Sequence, residues 1–164
     1  MSETEWVEGM SIGDNLLDLF KQQEPGRKIL EFGSGDGTVK LADMKHKVYP
    51  IENDPSFMTR CSQKILLSPI KGNWYSHPQV AEFIESCSPF DICLIDGPTS
   101  PANRDGVLAH YRALKEIPMI IVDDVHRDDE LLIGQALSLL VDKNYTLCED
   151  GHYEYGTKGF MVIE

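Results

Sequence analysis

The chain has 164 residues, 41% of them hydrophobic, with 15 basic against 27 acidic residues and a formal charge of −12. That length and apolar content describe one domain with a real core and exclude wholesale disorder. The charge argues against nucleic acid as partner, because affinity for phosphates rests on Lys and Arg.

The acidic start, Met1-Ser-Glu-Thr-Glu-Trp6, has no apolar run behind a basic residue and does not read as a secretory signal. No stretch approaches the roughly 18 apolar residues of a bilayer span. Cys61, Cys87, Cys93 and Cys148 form no C-x-x-C pair. Buried free thiols in a cytoplasmic protein without a membrane partner are therefore expected.

An N-terminal helical segment fills residues 1–26. In it, Asp14 opens a helix through Gln23, with Leu16, Leu17, Leu19 and Phe20 on the buried side, and Glu24-Pro-Gly26 stops it. Arg27 to Phe32 reads as a buried strand running into glycines, followed by a helix to Asp43. Lys47 to Ile51 is a second strand, and Phe57 to Leu66 reads as a helix. Leu67 to His77 holds a weak third strand, and Pro78 begins a helix to Ser86. Phe90 to Ile95 is a fully buried strand, Ala102 to Glu116 a helix, and Met119 to Val122 another buried strand. Asp128 to Asp142 is the clearest helix, with Leu132, Ala136, Leu139 and Leu140 on one side. Tyr145 to Cys148 and Lys158 to Ile163 close the chain.

Alternating apolar strands and helices imply a mostly parallel sheet covered on both faces, a Rossmann-like, doubly wound α/β fold of seven strands. Fewer than ten residues separate the last two strands, so they must form a hairpin, and one of them must run antiparallel to the rest. Residues 27–164 form the core of this single domain.

Ligands of such sheets bind beyond the carboxyl ends of the strands. There the chain places Glu31-Phe-Gly-Ser-Gly-Asp-Gly37. Gly33, Gly35 and Gly37 permit close backbone approach, and the following helix start offers N–H groups. Thr38 stands where a dinucleotide fingerprint needs its third glycine, and no Gly-Lys-Ser/Thr of a P-loop is present. Glu52 ends the second strand, placed to accept ribose hydroxyls, with Asn53 beside it.

Glu31-x-Gly33-x-Gly35-x-Gly37, the strand-end Glu52 and the terminal hairpin together resemble the class I S-adenosylmethionine-dependent methyltransferases over about residues 27 to 163. The resemblance implies S-adenosylmethionine as cofactor. It would be held by Glu31, Gly33, Ser34, Gly35, Gly37, Glu52, Asn53 and Asp96, with Trp74 and Tyr75 near the adenine. Asp96 after the fourth strand and Asp123-Asp124 after the fifth are similar in layout to the metal-dependent, catechol-type O-methyltransferases, whose pair there is Asp-Asn. This implies Mg²⁺ on Asp96, Asp123 and Asp124. The general-base lysine of those enzymes corresponds to Thr99 here. Catalysis then falls to Asp96 and Asp124 with the metal, or to His126, His77 or Arg104 in support. Arg104 could also clamp an acidic substrate group.

The acceptor implied is a small molecule or a sugar hydroxyl. The short chain leaves little room for a lid beyond the first helix, so the acceptor site is open or is completed by a second subunit of a homo-oligomer. A nicotinamide-dependent oxidoreductase, which Thr38 disfavours, and a non-catalytic, nucleoside-binding methyltransferase-like subunit are the alternatives. A nucleic-acid methyltransferase ranks third because of the charge.

Overall fold

The computed structural model describes residues 12–59, 61–153 and 156–164; the acidic start of the chain lies outside them. Seven strands form one sheet: β1 (Lys28–Phe32), β2 (Lys47–Glu52), β3 (Leu66–Leu67), β4 (Ile92–Ile95), β5 (Met119–Val122), β6 (Tyr145–Tyr153) and β7 (Gly156–Ile163). Their order is β3-β2-β1-β4-β5-β7-β6. The first five pair in parallel, and β7 runs antiparallel to both β5 and β6. The expected hairpin is there, with β7 inserted between β5 and β6.

Successive side chains on a strand face opposite ways, and the central strands use both faces. Leu30, Phe32, Cys93, Ile95, Ile120 and Val122 join one core, while Ile29, Ile92, Leu94 and Ile121 join the other. The first core is covered by α3 (His77–Cys87), α4 (Tyr111–Leu114) and α5 (Asp128–Val141), through residues such as Val80, Ile84, Leu114 and Leu137. The second is covered by α1 (Asp14–Lys21) and α2 (Asp36–Asp43), through Leu16, Leu17, Phe20 and Leu41. Among the described residues no helix is long and apolar enough to cross a membrane.

Five local readings of the sequence need correction. The described residues of Phe57–Leu66 form no α-helix: Pro55–Phe57 makes a single 3₁₀ turn, capped by Asp54, whose carboxylate accepts the Ser56 N–H at 2.9 Å. Phe57, Cys61 and Ile65 recur at helical spacing, but none of them is buried and Met58 is exposed, so no packed face rewards a helix there. The third strand is only Leu66–Leu67. The helix expected over Ala102–Glu116 is a 3₁₀ segment, Asp105–His110, followed by the short α4. Gly106 lies so close to Trp74 that a Cβ there would stand 2.3 Å from the indole. In α5 the buried stripe is Ile133, Gly134, Leu137, Ser138 and Val141, while Leu132 and Leu139 face solvent. Among the thiols, Cys87 and Cys93 are buried, but Cys61 is exposed.

The terminal hairpin is longer than its apolar residues suggest, and the extension has a purpose. Asp150 on β6 is buried and accepts the backbone N–H of Leu16 at 2.9 Å, while Asn15 donates to the Glu149 carbonyl at 2.8 Å. A helix leaves its first N–H groups without intrahelical partners, and Gly13 at the N-cap of α1 has no side chain to serve them. Asp150 supplies the cap from across the fold. Asp150→Ala is expected to cost about 1–2 kcal/mol, the usual value of a lost cap. In thermal unfolding that reads as a fall in Tm of a few degrees, roughly 2–4 °C per kcal/mol at this chain length. An unchanged Tm would show that α1 is held by its apolar face alone.

Candidate cofactor and active site

At the carboxyl ends of β1, β2 and β4 opens a cleft of about 1120 Å³. Its walls include Glu31, the glycine loop, Glu52, Asn53, Tyr75, Asp96, Arg104, Asp124 and Lys158. The strand ends are stitched together by backbone bonds from Gly33 to Ile51, from Asp96 to Phe32 and from Asp123 to Ile95, at 2.8 to 3.0 Å. Each loop thus begins at the same level of the sheet.

The two central loops touch through glycines. Gly33 has φ +101°, a conformation L side chains rarely adopt. A Cβ on Gly33 would lie 3.1 Å from the Asp96 carbonyl oxygen, and one on Gly97 would lie 2.9 Å from the Gly33 Cα. Ser34, Gly35 and Gly37 then carry the chain past the cleft into α2. Thr38, which in the sequence only counted against a dinucleotide loop, ties this turn together. Its hydroxyl donates to Glu31 at 2.6 Å and accepts the Gly35 N–H at 3.0 Å. Glu31 is buried, and that burial, with Asp96 and Glu52 nearby, pushes its carboxyl well above the ordinary 4.5 against the pull of the Thr38 bond.

Glu52 binds the same loop from β2. Its Oε2 accepts the Ser34 N–H at 2.9 Å, and its Oε1 accepts the N–H groups of Asn53 and Asp54 at 2.7 and 2.8 Å. Oε2 therefore keeps a lone pair for a ligand hydroxyl. Burial raises its carboxyl despite these three bonds.

Trp74 is not among the cleft residues. It is 2% exposed and packs in the core against Phe32 and the rings of His77 and His110. Tyr75, the next residue, lines the cleft instead. Its hydroxyl is buried without a hydrogen-bond partner among the described residues.

On the other side of the cleft, Asp96, Asp123 and Asp124 each offer a carboxylate oxygen within 4.8 Å of the others. The three residues expected to hold a metal are thus together, in a number and spacing that suit a hard cation. Their charges, however, already face cations of the chain. Arg104, 5% exposed, approaches Asp124 Oδ2 at 3.0 Å and Asp96 Oδ1 at 3.5 Å, and donates to the carbonyl of Asp123 at 3.2 Å. Lys158 Nζ stands 3.8 Å from both Asp123 Oδ2 and Asp124 Oδ1, and Arg127 is 3.5 Å from Asp124 Oδ2. A divalent ion seated on these oxygens would have to displace the resident cations or lie beside them. As arranged, the site does not fit Mg²⁺.

The cations divide the acids. Burial alone would raise Asp124, but Arg104, Lys158 and Arg127 hold it below the ordinary range. Burial, with Asp96 and Asp124 beside it, pushes Asp123 well above that range. Withdrawal from water lifts Asp96 to about 6, with Arg104 opposing. His126 does not line the cleft; its Nδ1 accepts the Gly159 N–H at 3.4 Å, so the ring is turned to β7. His77 is stacked on His110. Lys158 was not foreseen, because it arrives from β7, a strand whose residues carry no motif.

No known family pattern matches the chain, and no curated protein matches it. Solved structures do. TomG, an O-methyltransferase of Streptomyces achromogenes involved in tomaymycin synthesis and crystallised with SAM, is 18% identical over 90% of this chain and 77% of its own, with a TM-score of 0.59. An O-methyltransferase from Bacillus cereus, in complex with SAH, is 19% identical over 91% and 76%, with a TM-score of 0.55. Magnesium protoporphyrin IX methyltransferase from Synechocystis, with bound SAM, is 10% identical over 92% and 76%, at 0.56. The chain shares the fold of these three proteins. At these identities the likeness is one of architecture.

The pH dependence of stability follows from Glu31. Its folded pKa lies above the unfolded one, so its ionised form is a cost that grows as pH rises through that window. Glu31→Gln, which keeps an oxygen for the Thr38 hydroxyl, is expected to raise Tm at pH 8 by about 2–4 °C for each kcal/mol relieved. The gain should shrink toward pH 5. An equal gain at both pH values would show that the charge is not its source.

Proposed function

We propose that the chain is an S-adenosylmethionine-dependent methyltransferase acting on a hydroxyl of a small molecule or sugar. The observation that carries this reading is the cleft itself. A glycine loop tied by Glu31 and Thr38, the strand-end Glu52 and the acid Asp96 share one cavity, in a fold whose solved relatives hold SAM or SAH. On this reading Glu52 accepts the ribose hydroxyls, Glu31 and the loop hold the methionine end, and the Tyr75 hydroxyl serves a polar atom between them. The first turn of α5, Asp128, Asp129 and Glu130, gives the cleft an acidic rim. That rim favours a neutral or cationic acceptor.

In the transfer, the acceptor oxygen forms a bond to the methyl carbon as the carbon–sulfur bond breaks, leaving a neutral thioether. The hydroxyl proton passes to the carboxylate of Asp96, whose pKa of about 6 leaves it ionised yet basic near neutral pH. Asp124 is held too acidic by its cations to serve as well. The residues expected to ligate Mg²⁺, Asp96, Asp123 and Asp124, face cations of the chain instead.

Calorimetric titration tests the cofactor. Saturable heat is expected with S-adenosylmethionine and S-adenosylhomocysteine and none with NAD. Gly33→Val forces a branched side chain against the Asp96 carbonyl and is expected to weaken binding by at least about tenfold, or 1.4 kcal/mol. Absence of heat with both adenosyl compounds would sink the proposal.

A further inference from the structure

We infer that the Arg104 guanidinium takes the place of a divalent cation among Asp96, Asp124 and the chain around Asp123, so that this site binds no metal ion and works without one. The inference rests on the carboxylate geometry and deepens the methyltransferase reading by naming the cation of its active site.

Four observations carry it. Arg104 is 5% exposed, so its charge is a built part of the site. It touches both acidic loops at once. Nη2 reaches Asp124 Oδ2 and Asp96 Oδ1, Nη2 also donates to the Asp96 carbonyl at 3.3 Å, and Nη1 donates to the Asp123 carbonyl. Its Nε faces Glu130 at 3.9 Å. Of the other oxygens of the cluster, Asp123 Oδ2 and Asp124 Oδ1 face Lys158, and Asp123 Oδ1 accepts the Asp124 N–H at 2.9 Å. Every carboxylate that could ligate an ion therefore has a resident cation within 4 Å.

The chemistry of guanidinium explains why it can hold this position. It stays charged in proteins, spreads its donors in a planar fork and is weakly hydrated, so it is the preferred cation for buried multi-acceptor sites. A hard divalent ion needs short contacts of about 2.0–2.1 Å to several oxygens and gives up water reluctantly. It would have to displace the fork and lie beside Lys158. Arg104 acts as a positioning residue: it holds Asp96 and Asp124 across the cleft in the relation that a shared ion would otherwise impose.

Manganese(II), which shares the oxygen preference of magnesium and is visible by electron paramagnetic resonance, provides the test. The wild-type chain, with and without S-adenosylhomocysteine, is expected to bind no stoichiometric ion up to about 1 mM. Arg104→Gln should create a site for one ion per chain at least about tenfold tighter than in the wild type, and adding Asp124→Asn should remove it. A purely structural role for Arg104 would not produce a gain of metal affinity. Tight binding by the wild type, lost in Asp124→Asn, would overturn the inference. So would a folded Arg104→Gln chain that gains no affinity. Should that variant not fold, the wild-type measurement still decides. S-adenosylhomocysteine affinity that is equal in EDTA and in magnesium is expected; affinity that needs the ion would count against metal independence. If neither adenosyl compound binds at all, the cofactor reading fails separately from the manganese result.

Discussion

The cleft depends on a contact between two backbones. The loop leaving β1 and the loop leaving β4 cross where Gly33 and Gly97 meet, with no room for a Cβ between them. Because these strands are neighbours in register, with Phe32 opposite Ile95, the contact sets how far apart their acids can stand. Glu31 and Asp96 are brought near enough for Asp96 to add to the cost of ionising Glu31, which burial already raises. Glu52 then reaches across to Ser34, and the glycine-loop side of the cleft has its shape before any ligand arrives. A binding wall made this way is preorganised: the ordering cost is met during folding.

The other side is organised by charge. An acidic chain has gathered carboxylates at one rim, where like charges repel and desolvation raises their cost. Buried ions are tolerated when geometry and hydrogen bonds satisfy them. Arg104 meets that condition with two carboxylates and two carbonyls. The division of labour follows from where the cations lie. Asp124, closest to Arg104, is kept ionised, whereas Asp96 is left nearer to neutrality.

Much of this was legible in the sequence, for identifiable reasons. β1, β2, β4 and β5 are short apolar runs buried on both faces, and such runs announce a parallel sheet with little ambiguity. The hairpin followed from the length of the final connection alone. Because functional groups of this architecture sit just past strand ends, Glu31, Glu52, Asp96 and Asp124 could be named from position. What escaped were contacts that position does not encode. Trp74 and Tyr75 are adjacent, and only packing decides which faces the cleft. Arg104 lies in a 3₁₀ approach that periodicity cannot resolve, and Lys158 comes from the far side of the sheet. Thr38 read as a missing glycine, although its hydroxyl is what closes the loop. In α5 the apolar residues exceed the face available to bury them, so the longest hydrophobic run pointed to the wrong side.

The cap that Asp150 gives α1 also bears on the order in which the molecule is assembled. Ribosomes deliver the first helix early, but its partner lies 134 residues later. An eight-residue helix is marginal on its own, so α1 has nothing to fix its start until the last hairpin has been made. Ile12, just ahead of that helix, lines the cleft. The cleft wall at Ile12 is therefore finished only after the β6–β7 hairpin has formed, and a chain without that hairpin lacks the completed pocket.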